Sequence, residues 1–183
     1  QGNEIASFPM KGTLEVSDGL SEASLQNDPK EKAEHATIVD LIRNDLSKVA
    51  YPIQVEKYQY VEKVKTNTGE LWQMSSKITG KLMPKFEGKF GSILRELLPA
   101  GSITGAPKKA TMQLIAEIEA YERGFYTGIM GKFDGNSFNS GVLIRFIEKG
   151  KDGLLFKSGG GITVFSEATK EYDELIQKVY LPF

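Results

Sequence analysis

The sequence predicts an α+β fold in which layered antiparallel β-sheets are backed by helices. Three observations predict it. Two long alternating runs, "PIQVEKYQYVEKV" and "ELWQMSSKITGKL", flank "KTNTGE", where Asn67 and Gly69 favour a turn, so together they read as a β-hairpin. Three more strand-like runs follow each other late in the chain: "FYTGIMGKFDG", "FNSGVLIRFIE" and "GLLFKSGGGITVF". Helical patterns stand between these groups of strands, not between single strands, which argues against a parallel βαβ sheet.

The elements follow in order. In "FPMKGT", Phe8, Pro9 and Met10 are expected to enter a core, and Gly12 with Thr13 to leave it by a tight turn. Residues 17 to 28 are polar and read as a mobile loop. Asn27-Asp28-Pro29 is a helix start, a capping side chain followed by proline in the first turn. That helix is expected to reach about Lys48, with Ile38, Leu41, Ile42 and Val49 as its apolar stripe. After the hairpin, a short helix is expected near 89–98, a second from about Pro107 to Tyr121, and a last one over roughly 167–180.

Composition narrows the function. The chain has 183 residues, a net charge of −1 and no cysteine. A near-neutral charge gives no reason to expect nucleic acid or an anionic membrane as partner. The lack of cysteine removes disulfide frameworks and thiolate metal sites, and fits a cytoplasmic setting. No apolar run approaches membrane-spanning length. The chain opens without methionine, directly on strand-like residues, and is expected to be the carboxy-terminal part of a longer polypeptide.

Two pairs of carboxylates come next. Glu31 and Glu34 lie on the first long helix, Glu171 and Glu174 on the last. The i, i+3 spacing puts each pair on one helix face. Both pairs line up with apolar residues, Ile38 and Leu41 in one helix, Leu175 and Val179 in the other. Acids on a half-buried face need compensation, from Lys or Arg or from a hard divalent cation. A pair of acids on a helix is ordinarily a solvated edge. Two matching pairs open a metal reading, and Mg2+ fits a set of carboxylates with one histidine and no cysteine. Lys178 stands one turn beyond Glu174, as an ordinary salt-bridge partner or as a cation facing the same cleft. His35, the single histidine, reads as structural.

Anion-binding features complete the pattern. In "GSITGAPKKA", Ser102 and Thr104 stand before a helix start, to cap it or to bind a ligand. "SGGGI" places Gly159 to Gly161 at a strand end, as a bulge or as bare N–H groups for a ligand. Tyr126 and Arg145 meet at one end of a sheet if their strands pair, and arginine suits a carboxylate. Together these features suggest a small dicarboxylate. Lys11 has two readings: a strand-end lysine reaching water, or a pocket lysine with a lowered pKa acting as nucleophile.

The motifs "FPMKGT", "AEHATIVDLIRNDL", "GSITGAPKKATMQLI", "RGFYTGIMGKF", "LIRF" and "GGGITVFSEATKEYDE" occur in this order over nearly the whole chain. The chain thereby resembles the chorismate-utilising enzymes, which include anthranilate synthase, aminodeoxychorismate synthase, isochorismate synthase and salicylate synthase. The resemblance implies the chorismate-binding fold, of which residues 1–183 would be the carboxy-terminal portion of a single domain. Lysine at position 11, where anthranilate and isochorismate synthases typically have alanine, is similar to aminodeoxychorismate synthase component I. That enzyme makes 4-amino-4-deoxychorismate for para-aminobenzoate and folate synthesis, with ammonia from a glutamine amidotransferase. Anthranilate synthase component I and a non-catalytic fragment remain as alternatives.

The resemblance also implies roles. Lys11 would be the covalent nucleophile. Glu34 and Glu174 would bind Mg2+ directly, and Glu31 and Glu171 would hold its waters. Tyr126 and Arg145 would clamp the enolpyruvyl carboxylate; Gly159, Gly161 and Lys178 would surround the ring carboxylate; Thr13 and Ser102 would line the pocket. Gln73, expected among the substrate-binding residues, stands where the family usually has a histidine, which makes pyruvate elimination less expected. The family's general-acid glutamate belongs to a Ser-Pro-Glu motif that this sequence does not contain.

Overall fold

The computed structural model describes residues 2–17, 19–66, 69–151, 153–164 and 166–179. β4 (Gly69–Leu82) is the spine of the first sheet. One edge of it pairs antiparallel with β3 (Ala50–Thr66). The other edge is shared end to end by two short strands: β1 (Glu4–Ser7) pairs with 78–81, and β2 (Met10–Glu15) with 71–75. Proline explains the break between them. Pro9 has no N–H to give to a ladder, but its carbonyl accepts from Ser76 N–H at 3.1 Å, so the edge continues across the gap. The expected hairpin is therefore present, although Asn67 of its turn lies outside the described residues.

α2 (Pro29–Leu46) lies across this sheet. It begins as expected: the Asp28 carboxylate accepts from Glu31 N–H at 2.9 Å, with Pro29 in the first turn. Such a cap is worth about 1 kcal/mol. The buried stripe is His35, Val39 and Leu46 with half-buried Ile42, about one position round from the expected Ile38 and Leu41, which are half-buried. Val39 and Leu46 pack on Ile78 of β4. A second cluster joins Val49, Ala50 and Leu82 to Phe86 and to Ile93 of α3 (Phe90–Leu97).

Several expectations are corrected. The polar stretch 17–28 contains a helix, α1 (Glu22–Asn27), because Ser21 and Ser24 form a reciprocal cap and Leu25 is buried. Phe8 and Met10 are exposed; only Pro9 of that triplet is buried. "GSIT" is itself a helical turn, α4 (Gly101–Thr104), before α5 (Lys108–Glu119). The three late strands are four: β5 (Ile129–Phe133) with β6 (Phe138–Val142), and β7 (Phe146–Gly150) with β8 (Gly153–Lys157). The run "FNSGVLIRFIE" breaks near Arg145, whose φ of 55° lies outside the β region and which neither β6 nor β7 includes. α6 (Ala168–Gln177) closes the described chain. Among the described residues no helix is long and apolar enough to cross a membrane.

Candidate functional site

The site is built on an irregular patch of the first sheet. Met10 pairs with Ser75 and Thr13 with Gln73, so Lys11 and Gly12 together face one β4 residue. This is a β-bulge, not a turn. Gly12 has φ 102°, and a Cβ there would stand 3.1 Å from Glu31 Oε2 and 3.3 Å from Met74 Cβ, so glycine is required twice over. The bulge turns Lys11 towards α2, where its Nζ lies 2.7 Å from Glu34 Oε2.

Lys11 is not the neutral amine that burial alone would make it. Burial does lower its pKa. The Glu34 hydrogen bond, together with the charges of Glu34, Glu31 and Glu174, outweighs that effect and holds it above the ordinary lysine value. The expectation of a lowered pKa is corrected accordingly. Burial, then the charge of Glu34, push the Glu31 carboxyl up. The Lys178 hydrogen bond pulls the Glu174 carboxyl down.

His35 is fully buried beneath the bulge. Its Nδ1 lies 2.8 Å from the Lys11 carbonyl and its Nε2 2.8 Å from Ser76 Oγ. A carbonyl only accepts, so Nδ1 carries the proton. Burial keeps the ring neutral, so Nε2 accepts from the Ser76 hydroxyl, which itself accepts from Gln59 N–H at 2.9 Å. Gln73 points the same way: its amide donates to the Gly12 carbonyl at 2.9 Å and to Met74 at 3.0 Å. Thr13 is exposed beside it.

The remaining candidates come from the second half of the chain. Tyr126 is half-buried, and burial raises its pKa. The guanidinium over its ring belongs to Arg123, 5.5 Å from the ring centre, and not to Arg145. Arg145 is exposed in the β6–β7 connection and has no ion pair or hydrogen bond among the described residues. A Cβ on Gly159 would fall 2.0 Å from the Tyr126 hydroxyl, so bare backbone is needed there. Gly160 faces Glu171 and Lys178, whereas Gly161 has nothing within 4 Å of a built Cβ. Glu171 accepts from the Ser166 hydroxyl at 2.6 Å, and Lys178 pairs with Glu174. Among the described side chains of α6 none is buried; Leu175 is half-buried, as expected of that face, whereas Val179, beyond the helix, is exposed.

Neither Ser102 nor Thr104 caps α5, whose N-cap is Pro107. Ser102 is exposed. Thr104 is buried with its hydroxyl against the carbonyls of Ala100 and Gly105. The segment is anchored instead by Asp45, which the sequence reading passed over. Its carboxylate accepts from Gly101 N–H at 2.8 Å, Lys48 at 2.7 Å and Lys108 at 2.8 Å. An aspartate in the last turn of a helix, where the helix dipole disfavours an acid, was the available signal. Likewise the adjacent serines of "QMSSKI" signalled a polar spot within an apolar strand.

The model of the chorismate binding enzyme family matches residues 1–182, and the chain belongs to that family. It is 52% identical over 180 residues to an uncharacterized PabA-like protein of Pasteurella multocida (strain Pm70), covering 98% of this chain and 56% of that protein. It is 36% identical over 185 residues to aminodeoxychorismate synthase component 1 of Klebsiella aerogenes, covering 96% and 40%. The crystal structure of anthranilate synthase component I from Streptococcus pneumoniae TIGR4 matches with a TM-score of 0.81 at 30% identity, over 98% of this chain and 40% of that one. The fold is thus that of the chorismate-binding synthases. The chain spans about half the length of the first curated relatives it matches.

Proposed function

We propose that the protein carrying this chain is an aminodeoxychorismate synthase component I, which converts chorismate and ammonia to 4-amino-4-deoxychorismate. Sequence identity does not separate this reading from anthranilate synthase, since relatives of both kinds lie between 32% and 36%. One observation carries it: Lys11 is presented by a glycine bulge to the acids of α2, with Nζ 2.7 Å from Glu34 Oε2. A lysine placed only to reach water has no need of that geometry.

In this reading Lys11 sheds one proton before it attacks. Its Nζ forms a bond to C2 of chorismate while the C4 hydroxyl departs as water after taking up a proton. Ammonia, supplied by a glutamine amidotransferase subunit or domain, then bonds to C4 and the lysine amine leaves C2. Tyr126 and Arg145 are the proposed contacts of the enolpyruvyl carboxylate. Gly159, Gly161 and Lys178 are those of the ring carboxylate, with Thr13 and Ser102 as lining hydroxyls.

The acids fit Mg2+ in donor type. All four are hard oxygen ligands, and Glu31 is pushed up by burial and by its neighbour Glu34, as crowded carboxylates are. Among the described residues no three acids or histidines converge as a closed cage. A Mg2+ ion takes one or two carboxylates and completes its shell with water or substrate. Glu34 and Glu174 would hold it, with Glu31 and Glu171 accepting from its waters, and it would supply charge neutralisation at a substrate carboxylate.

The test is product analysis of the full-length protein with chorismate, Mg2+ and ammonium, wild type against Lys11→Ala. The expected result is 4-amino-4-deoxychorismate from the wild type and a steep loss in the variant with binding kept. Anthranilate from the wild type, or full activity at C4 in the variant, would refute the reading.

A further inference from the structure

We propose that His35 and Gln73 are positioning residues which together aim Lys11, by holding the carbonyls of two successive bulge residues. The inference rests on the reading of Lys11 as the reactive amine. A bulge takes its residues out of the regular ladder, so their carbonyls need other donors. The Lys11 carbonyl accepts from His35 Nδ1 at 2.8 Å, and the Gly12 carbonyl from Gln73 Nε2 at 2.9 Å. The donors come from different elements, α2 and β4, and so fix the bulge from the helix side and from within the sheet.

Each donor is itself fixed. Both amide hydrogens of Gln73 are used, the second on the Met74 carbonyl at 3.0 Å. The His35 ring is locked by the Ser76 hydroxyl at 2.8 Å, and Ser76 lies opposite one irregularity and two residues from another. On its β3 side the register slips between Lys57 and Tyr60, where Gln59 has φ 49° and gives its N–H to Ser76 Oγ. On its β2 side the register slips between Met10 and Thr13. The two bulges are thus tied through one serine and one histidine, and the chain of bonds ends on the backbone of Lys11. Fixing that carbonyl fixes the Cα–Cβ direction, and with it the reach of Nζ to Glu34. Gln73 therefore acts on the lysine through its backbone and need not touch the substrate.

The experiment uses the full-length protein with four substitutions. Gln73→Met and His35→Leu remove the donors. Gln73→His and His35→Asn keep an N–H near the same place. The donor-less variants are expected to lose about tenfold or more in kcat for chorismate turnover, with KM within about twofold, the pattern of a misplaced reacting group and not of a lost binding contact. Amide hydrogen exchange over residues 11–13 should rise in both. The donor-keeping variants should recover most of kcat and of the protection. Should His35→Leu fail to fold, the Gln73 pair carries the same comparison. Unchanged kcat and unchanged exchange at 11–13 in Gln73→Met would overturn the proposal, as would a loss that Gln73→His does not restore. A wild type that yields anthranilate overturns the reading of the reaction alone, because the exchange of residues 11–13 reports the bulge without reference to any product.

Discussion

Every buried residue among those described lies in the half of the chain that ends at Thr104, and from Gly105 to Val179 none is buried. The first half has a long hairpin, a helix across it and two joined apolar clusters. The second has two separate two-stranded ladders and two helices, with Leu154 72%, Ile162 74% and Val164 90% exposed. Isolated two-stranded ladders are marginal in water. Contacts between the halves are few, such as Phe90 of α3 against Phe133 of β5 with ring centres 5.0 Å apart. The candidate site uses both halves. The Lys11 end is held by buried bonds, whereas the Tyr126, Arg145 and glycine end stands on lightly supported ladders. Among the described residues the proposed reacting amine therefore rests on buried neighbours such as His35, and the proposed carboxylate contacts do not.

Four predictions bear on this contrast, all measured by denaturant unfolding of the full-length protein unless stated. The largest effect is expected for Ile78→Ala, since Ile78 is fully buried between α2 and the sheet. It should cost about 3–4 kcal/mol, the range for truncating a buried isoleucine. A cost below about 1 kcal/mol would mean that the first half has no firm core.

Asp45→Ala should cost about 2–3 kcal/mol, because it strands the Gly101 N–H and two lysines. Its pH dependence gives the sign. Burial raises the Asp45 pKa, but the bonds from Lys108, Lys48 and Gly101 more than offset this and hold it below 3.8. The contribution is therefore present above the unfolded value and fades as pH falls through the folded one. The gap between wild type and Asp45→Ala should close as pH drops below 3.8. A gap that stays constant to lower pH would assign the loss to packing.

Gly159→Ala should cost about 1 kcal/mol through collision with the Tyr126 hydroxyl, and less when combined with Tyr126→Phe. Simple additivity of the two would show that they are not in contact. The smallest effect belongs to Leu154→Ser on the exposed face of β8, within about 0.5 kcal/mol. A cost rivalling that of Ile78→Ala would show this face to be covered in the intact protein and would erase the contrast.

Much of the fold was legible because its signals are local. The Asp28-Pro29 start of α2, the alternation of β3 and β4, and the positions of α3, α5 and α6 depend on neighbours in sequence. Legibility stopped where a neighbour in space decides. The breaks at Pro9 and Arg145 split strands that apolar runs had joined. Polar residues 17–28 hid a short helix because one leucine, Leu25, finds a pocket. The site divides the same way. Residue types and motif order pointed to four acids, a lysine and an aromatic, and helical spacing to the Glu174–Lys178 pair, but not to the partners of Lys11, Glu171 and Tyr126.

The sequence by itself determined the family, the starts of α2, α3, α5 and α6 to within a residue, and the pairing of the long hairpin, since each is carried by residue identity at short spacing. Tertiary structure alone decided the state of Lys11 and the work of His35, Gln73, Ser76 and Asp45. The pKa of a lysine depends on how the loss of water balances against the carboxylates around it, and here those come from helices more than 100 residues apart in sequence. A histidine's tautomer depends on which atom faces its nitrogen, and for His35 that atom is a carbonyl 24 residues earlier in the chain, brought within 2.8 Å by a bulge. Such quantities are properties of distances, and distances between remote residues exist only once the chain has folded.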